Sequence, residues 1–169
     1  MMRRALLLLV LAVGAATPAA AEDFISFYGG WAWQDEDARL EDGTRMEDGE
    51  VFGIRFGSVA GTAGGQMTLD INRDGELHLD SLMFTAIVNL YAHGGKSTSM
   101  SFFATAGTGL LRREQPIDDT DTFYAMEYGL GTQFRLTKAF GLRFEALAID
   151  SPPAKIRTLE GTAEIAFYW

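Results

Sequence analysis

The chain contains no cysteine. A disulfide framework, a thiolate metal site and attachment of a lipid through an N-terminal cysteine are all excluded. Proline is scarce, with four in 169 residues. Histidine is scarcer still, with two, His78 and His93, so imidazole chemistry has few places to occur. Basic residues are also few. Lys plus Arg total 14 against 23 Asp plus Glu, a formal charge of −9. Nucleic acid is thereby excluded as a partner, since it would require a basic patch. No run of 18 apolar residues occurs, which rules out a transmembrane helix.

The one apolar run sits at the start. "MMRR" is a short basic opening, "ALLLLVLAV" is apolar, and "ATPAAAED" brings small residues before the chain turns polar. This is the layout of a secretory signal peptide, with Ala19 and Ala21 forming an A-x-A cleavage site. The expected organisation is therefore a signal peptide over 1–21 and one domain over 22–169. Removing Arg3 and Arg4 leaves 12 basic against 23 acidic residues, a mature charge of −11.

What fills the remaining 148 residues (169 − 21) is alternation. At the C-terminus Leu159, Gly161, Ala163, Ile165, Phe167 and Trp169 share one face, and Thr158, Glu160, Thr162, Glu164 and Tyr168 the other. In "FYAMEYGLGTQFRL" Tyr124, Met126, Tyr128, Leu130 and Phe134 oppose Glu127, Gly129, Gly131, Gln133 and Arg135. The same two-residue period recurs in "DFISFYGGWAWQ", "VFGIRFGS", "QMTLDI", "SLMFTAIVNLY", "SFFATAGTGL" and "GLRFEALAID". A period of two means strands, here eight of them. In "SLMFTAIVNLY" Met83 and Ile87 fall on the polar face and blur the pattern. The connections read as alternately long and short, as in an up-and-down meander. The long ones are "DEDARLEDGTRMEDGE", "NRDGELHLD", "RREQPIDDTDT" and "DSPPAKIR".

Two architectures fit. A soluble barrel or sandwich turns its apolar face inward, whereas a transmembrane barrel turns it to lipid and keeps a polar interior. Three features select the second. The mixed face carries Gly30, Gly53, Gly57, Gly107, Gly109, Gly129 and Gly131. Such residues weaken a solvent-facing strand but suit a crowded interior. That face also holds charges of both signs: Arg55, Arg135 and Arg143 against Asp70, Glu127, Glu145, Glu160 and Glu164. Enclosed charges must be paired. Finally, Trp31, Trp33, Tyr91, Phe123, Tyr124, Phe167 and Trp169 gather toward strand ends, as in the aromatic girdles of membrane barrels. The expected fold is an all-β, eight-stranded antiparallel up-and-down transmembrane β-barrel. Arg55, Asp70, Glu127, Arg135, Arg143, Glu145 and Glu164 are expected to form a packed ion-pair network in its lumen.

Four stretches carry a family resemblance: "SFFATAGTGLL", "YGLGTQFRLTKAFGLRFEA", "LMFTAIVNLYA" and "AEIAFYW". Together the chain resembles the small eight-stranded outer-membrane β-barrels, whose type is the transmembrane domain of outer membrane protein A. The resemblance implies export to the outer membrane of a Gram-negative bacterium as a monomer. It implies contact with membrane lipid and lipopolysaccharide, and a C-terminal strand with Ile165, Phe167 and Trp169 read by the barrel-assembly machinery. The family's usual last residue is Phe, where this chain has Trp169. The implied role is structural or adhesive, not that of a general porin or an enzyme, with no cofactor and no metal.

The weaker alternatives are a lipid A-modifying enzyme and a soluble lipocalin-like binder. The first would need a catalytic constellation, and the candidates are His78, Asp80 and Ser81 in "ELHLDS". His78 and Ser81 are three apart, so a strand would point them to opposite faces. The acidic stretch from Asp35 to Glu50 lacks the spacing of a calcium loop and reads as solvated, as does "DDTD" at Asp118–Asp121.

Overall fold

In the computed structural model, residues 21–35, 46–74, 77–94, 99–114 and 120–169 are described. At 74, 77, 78, 91–94, 114 and 120 the description covers the backbone alone. The expected signal segment lies outside these residues, apart from Ala21.

Eight strands follow in order: β1 Glu22–Gln34, β2 Gly49–Ala60, β3 Ala63–Asp74, β4 Leu77–Gly94, β5 Ser99–Glu114, β6 Thr120–Arg135, β7 Phe140–Ser151 and β8 Ile156–Tyr168. Each pairs antiparallel with its neighbours, and β8 returns to β1, closing the barrel. The register fixes its dimensions. Partners can be followed from Phe24 through Gly57, Gln66, Thr85, Gly107, Glu127, Ile149 and Thr158. The path rejoins β1 at Gln34, a stagger of 34 − 24 = 10 residues. Eight strands with that stagger tilt by about 40° and enclose a space that side chains alone can fill.

The alternation read from the sequence determines which face is inside. Phe27, Phe52, Leu69, Phe84, Leu110, Leu130, Phe144, Leu159 and Ile165 all point outward and are exposed. On β8 the outward series runs from Leu159 to Trp169 (169 − 159 = 10 residues). That is about 33 Å of strand, or about 25 Å along the axis at this tilt, the height of a lipid-facing band. A soluble barrel would bury these side chains, and the lipocalin-like alternative fails on this point.

The connections differ from the expected alternation. Joining β3 to β4 takes only residues 75–76, and joining β5 to β6 takes 115–119. Much of "NRDGELHLD" and "RREQPIDDTDT" is strand, with Arg73 paired to His78 and Arg113 to Asp121. The physical reason is that ladder hydrogen bonds continue beyond the apolar band, where side-chain alternation no longer marks a lipid face. Only the β1–β2 connection, residues 35–48, remains long. Opposite it, the β2–β3 turn is Gly61–Thr62, with Gly61 at φ 64°, which glycine adopts without strain. β4 also carries a bulge at Leu90, between Asn89 and Tyr91.

Glycines on the inward face make room for rings. A Cβ on Gly53 would lie 2.3 Å from Tyr28, one on Gly57 2.4 Å from Phe24, and one on Gly131 2.3 Å from Phe103. Each is a direct cross-strand pair. The three rings lie across the backbone where a side chain would otherwise stand.

Candidate functional site

Among the described residues, charge is concentrated and enclosed in the interior. It is built as layers between the end that bears the chain termini and the end that bears the β1–β2 loop.

The lower charged layer comes from β2, β7 and β8. Arg55 is fully buried and donates to Glu145 at 2.6 Å and also to Glu164. Glu164 accepts from the Ser26 hydroxyl at 2.8 Å, and Glu145 from Thr105 at 2.7 Å. Arg143 stands 3.9 Å from Glu145 and 3.8 Å from Glu164, and donates to Gln66 at 3.3 Å. Register supplies these contacts, since Arg143 pairs directly with Glu164 and Ser26 with Arg55. Aromatic faces hold the guanidiniums: Arg55 lies 4.3 Å from the Tyr28 centroid, and Arg143 lies between Phe103 at 4.6 Å and Phe24 at 4.9 Å. Two cations meet two anions, and the layer is neutral.

Asp70, Glu127 and Glu160 form a second layer nearer the loop end. Asp70 accepts from the Tyr28 hydroxyl at 3.2 Å and Glu127 from Thr85 at 3.0 Å. Glu127 Oε2 and Glu160 Oε2 have no hydrogen-bond partner, and none of the three carboxylates has an ion-pair partner among the described residues. Here the expectation of one ion-pair network is corrected for Asp70 and Glu127. Both face the lumen, but the stagger of the strands lifts them a layer above Arg55 and Arg143. Arg135 is corrected too: it sits at the terminal end, 2.7 Å from Glu22 and 3.9 Å from the Tyr168 centroid, outside the central layer. Glu22 and Arg113, which pairs with Asp121 at 3.0 Å, were not among the expected site residues.

Apolar clusters stand toward both ends of the lumen, and the sequence reading had not anticipated them; the one at the terminal end lines a cavity of about 220 Å³ that reaches Arg143. At the loop end Met46, Leu79, Met83, Leu111, Ala125, Ile149 and Ile156 form one cluster, Met46 descending from the β1–β2 connection. Toward the terminal end Phe24, Ile87, Phe103, Ala166 and Tyr168 form another. The signal was present: Met83 and Ile87 broke the alternation of β4 because they belong inside. Phe123, read as a rim aromatic, instead lies against Arg113 at 5.1 Å.

The candidate catalytic group does not assemble. Ser81 is buried on the inward face and Asp80 occupies the opposite face of β4, while the His78 side chain lies outside the description. Of the acidic loop, Glu36, Asp37, Glu41 and Asp42 also lie outside it, as does Asp118. Among the described residues no three His, Cys, Asp or Glu side chains are grouped so as to hold a metal ion. On the outer surface Ile165, Phe167 and Trp169 are all exposed, and Phe167 meets Phe140 edge-on at 5.8 Å. Trp169 is tied to β1 through its N–H to the Asp23 carbonyl at 3.1 Å.

No protein-family model matches the chain, and no curated protein matches it. Solved structures do. The N-terminal β-barrel domain of Pseudomonas aeruginosa OprF superposes with a TM-score of 0.64 at 12% identity, covering 88% of this chain and 97% of that one. Neisserial surface protein A gives 0.65 at 12%, covering 86% and 96%. Ail, the attachment invasion locus protein of Yersinia pestis, gives 0.57 at 13%, covering 88% and 99%. The fold is that of the small eight-stranded outer-membrane barrels.

Proposed function

We propose that this protein is a monomeric outer-membrane barrel with a structural or adhesive role, its termini in the periplasm and its β1–β2 loop outside the cell. The observation that carries the reading is the combination of an apolar outer band with a lumen closed by an apolar plug at the loop end and an ion-paired layer. The band supports residence in a bilayer. The closed lumen supports a role at the surface over one in general transport. Export by an N-terminal signal peptide and assembly through Ile165, Phe167 and Trp169 belong to the same proposal.

Lipid and lipopolysaccharide are the proposed partners. Arg73, Arg112 and Arg157 are exposed near the loop end, beyond Trp33 and Tyr124, at a height suited to outer-leaflet phosphates. Ail has been crystallised with the heparin analogue sucrose octasulfate. A polyanion is accordingly the first class of surface ligand to test here. The enzymatic alternative has no supporting geometry, because Asp80 and Ser81 face apart.

Cell fractionation tests the location: the protein is expected with outer membranes, heat-modifiable on gels, and recovery in the soluble periplasm overturns the reading. Planar-bilayer recording tests the lumen, with no sustained conductance expected.

A further inference from the structure

At the loop end β6 outruns the strand beside it. Its ladder with β7 stops at Met126, paired to Asp150, yet β6 begins at Thr120 and stays paired with β5 along that whole stretch. The reason lies in the chain after β7. Ser151 is followed by Pro152 and Pro153, which have no N–H to give to a ladder, and the backbone turns back to Ile156, opposite Ser151. Among the described residues no strand covers that side of Thr120–Phe123. We propose that this edge docks an extended, acidic segment of a partner protein, added as one more strand. The inference rests on the adhesive reading, with the loop end outside the cell.

The direction of the backbone groups supports it. The Ala125 carbonyl faces β5, where the Thr108 hydroxyl donates to it at 3.1 Å. The Tyr124 carbonyl faces the other way, where the Ser151 hydroxyl donates to it at 2.8 Å. Alternate residues of a strand face alike, so Thr122 and Thr120 turn N–H and C=O to the open side. Such an edge is a template for another strand unless proline, a bulge or outward charge blunts it, and here both positions are threonine. The edge is also held rigid. Arg113 pairs with Asp121 at 3.0 Å and lies 5.1 Å from the Phe123 ring, which fixes both inward side chains.

Lys155 sets the charge of the segment. It ends the turn that begins at Pro152, at the foot of the gap that an added strand would fill. It is exposed and makes no ion pair among the described residues, whereas neighbouring Arg157 is already paired with Asp150. Lys155 holds φ 54°, which is costly for a residue with a Cβ and free for glycine. Strain kept at a surface turn calls for a use of the side chain. An ammonium at the foot of an open strand edge favours a carboxylate on the segment laid there.

The test is amide hydrogen exchange, read by NMR on the barrel refolded in a non-ionic detergent. The probe is the synthetic peptide ETVTVT, blocked at both ends, with KTVTVT and ETPPVT as comparisons. The Thr122 N–H should exchange freely in the barrel alone and slow about tenfold at saturating ETVTVT, while the Phe123 N–H, turned to β5, stays protected throughout. ETPPVT, which cannot form a strand, should have no effect. Thr122→Pro removes the edge donor without touching the ladder to β5, and should weaken binding about tenfold with the heat-modifiable gel shift retained. Lys155→Gly should weaken it about threefold and erase the preference for ETVTVT over KTVTVT. Protection of Thr122 in the barrel alone means that the edge is already covered, and protection that grows with barrel concentration means that a second copy is the occupant; either overturns the proposal. Equal binding of ETPPVT, equal binding of KTVTVT, or an affinity unmoved by Thr122→Pro overturns it too. Should Thr122→Pro not refold, exchange at Thr122 with the three peptides decides alone. The two readings fail separately: recovery in the soluble periplasm sinks the surface role, whereas an outer-membrane barrel with an unprotected Thr122 sinks the docking edge alone.

Discussion

Glu160 and Glu164 offer a controlled comparison. They lie four residues apart on the inward face of β8 and are equally buried, each 2% exposed. Composition and burial therefore predict the same outcome for Glu160→Gln and Glu164→Gln. The layering predicts opposite ones. Glu164 accepts from Arg55 and Ser26 and stands 3.8 Å from Arg143. At an effective dielectric of about 20, a unit-charge pair 3.8 Å apart attracts by about 4 kcal/mol. Neutralising Glu164 leaves two buried arginines facing the single carboxylate of Glu145, and breaking such a pair costs about 3–5 kcal/mol. Glu160 has no ion-pair partner among the described residues, and its Oε2 has no hydrogen-bond partner. Its amide replacement removes a buried carboxyl that has no ion-pair partner among the described residues, so its effect should lie between about zero and a gain of about 2 kcal/mol. The assay is urea unfolding of the domain folded into phospholipid vesicles, followed by the fluorescence of its three tryptophans. Equal destabilisation by the two variants, or a larger loss from Glu160→Gln, would refute the two-layer reading.

Three further outcomes follow from the same geometry. Gly131→Val should destabilise by about 1–3 kcal/mol through collision with Phe103, and adding Phe103→Ala should recover part of that loss, read as a non-additive cycle in urea. Lys155 holds φ 54° in the β7–β8 connection, so Lys155→Gly should be neutral or stabilising by up to about 1 kcal/mol, measured the same way. Trp169→Ala should lower the yield of heat-modifiable barrel in cells, while Trp169→Phe should retain it; equal yields from both would remove Trp169 from the proposed assembly signal.

The sequence made the wall of the barrel legible and its contents only partly so. A period of two assigns each residue to one of two faces, and that assignment needs no tertiary information. Phe27, Phe144 and Ile165 could therefore be placed on one face by counting, and the charges and glycines of the other face turned theirs outward. What the period cannot supply is height. Asp70 and Arg55 lie on the inward faces of adjacent strands, but Asp70 pairs with Gly53 and Arg55 with Thr68, and that register together with the strand stagger separates their layers. The sequence does not contain that stagger explicitly, because it emerges when the eight registers are added around the ring. The same limit explains Arg135, whose partner Glu22 lies 113 positions away across the seam. Met46 could not be read at all: it lies in a loop without period, yet it is almost fully buried in the plug.

The apolar clusters bear on function more directly than the ion pairs do. A charged lumen by itself is compatible with a water path, since ions and water compete for the same groups. Here the neutral layer of Arg55, Arg143, Glu145 and Glu164 lies beneath the apolar cluster of the loop end, and on its other side a cavity between Phe24, Ile87, Phe103 and Tyr168 reaches Arg143. A conducting path would have to breach the layer and the loop-end cluster. Each cluster is fixed by elements that do not move independently. Phe24 and Phe103 lie across glycines of neighbouring strands, and Met46 is inserted among residues from β4 to β8. Opening would strip buried apolar contacts at about 25 cal/mol per Å² and expose paired charges together. The interior is thus built as a strut. What remains exposed to a partner is the loop end, where Arg73, Arg112 and Arg157 reach the surface.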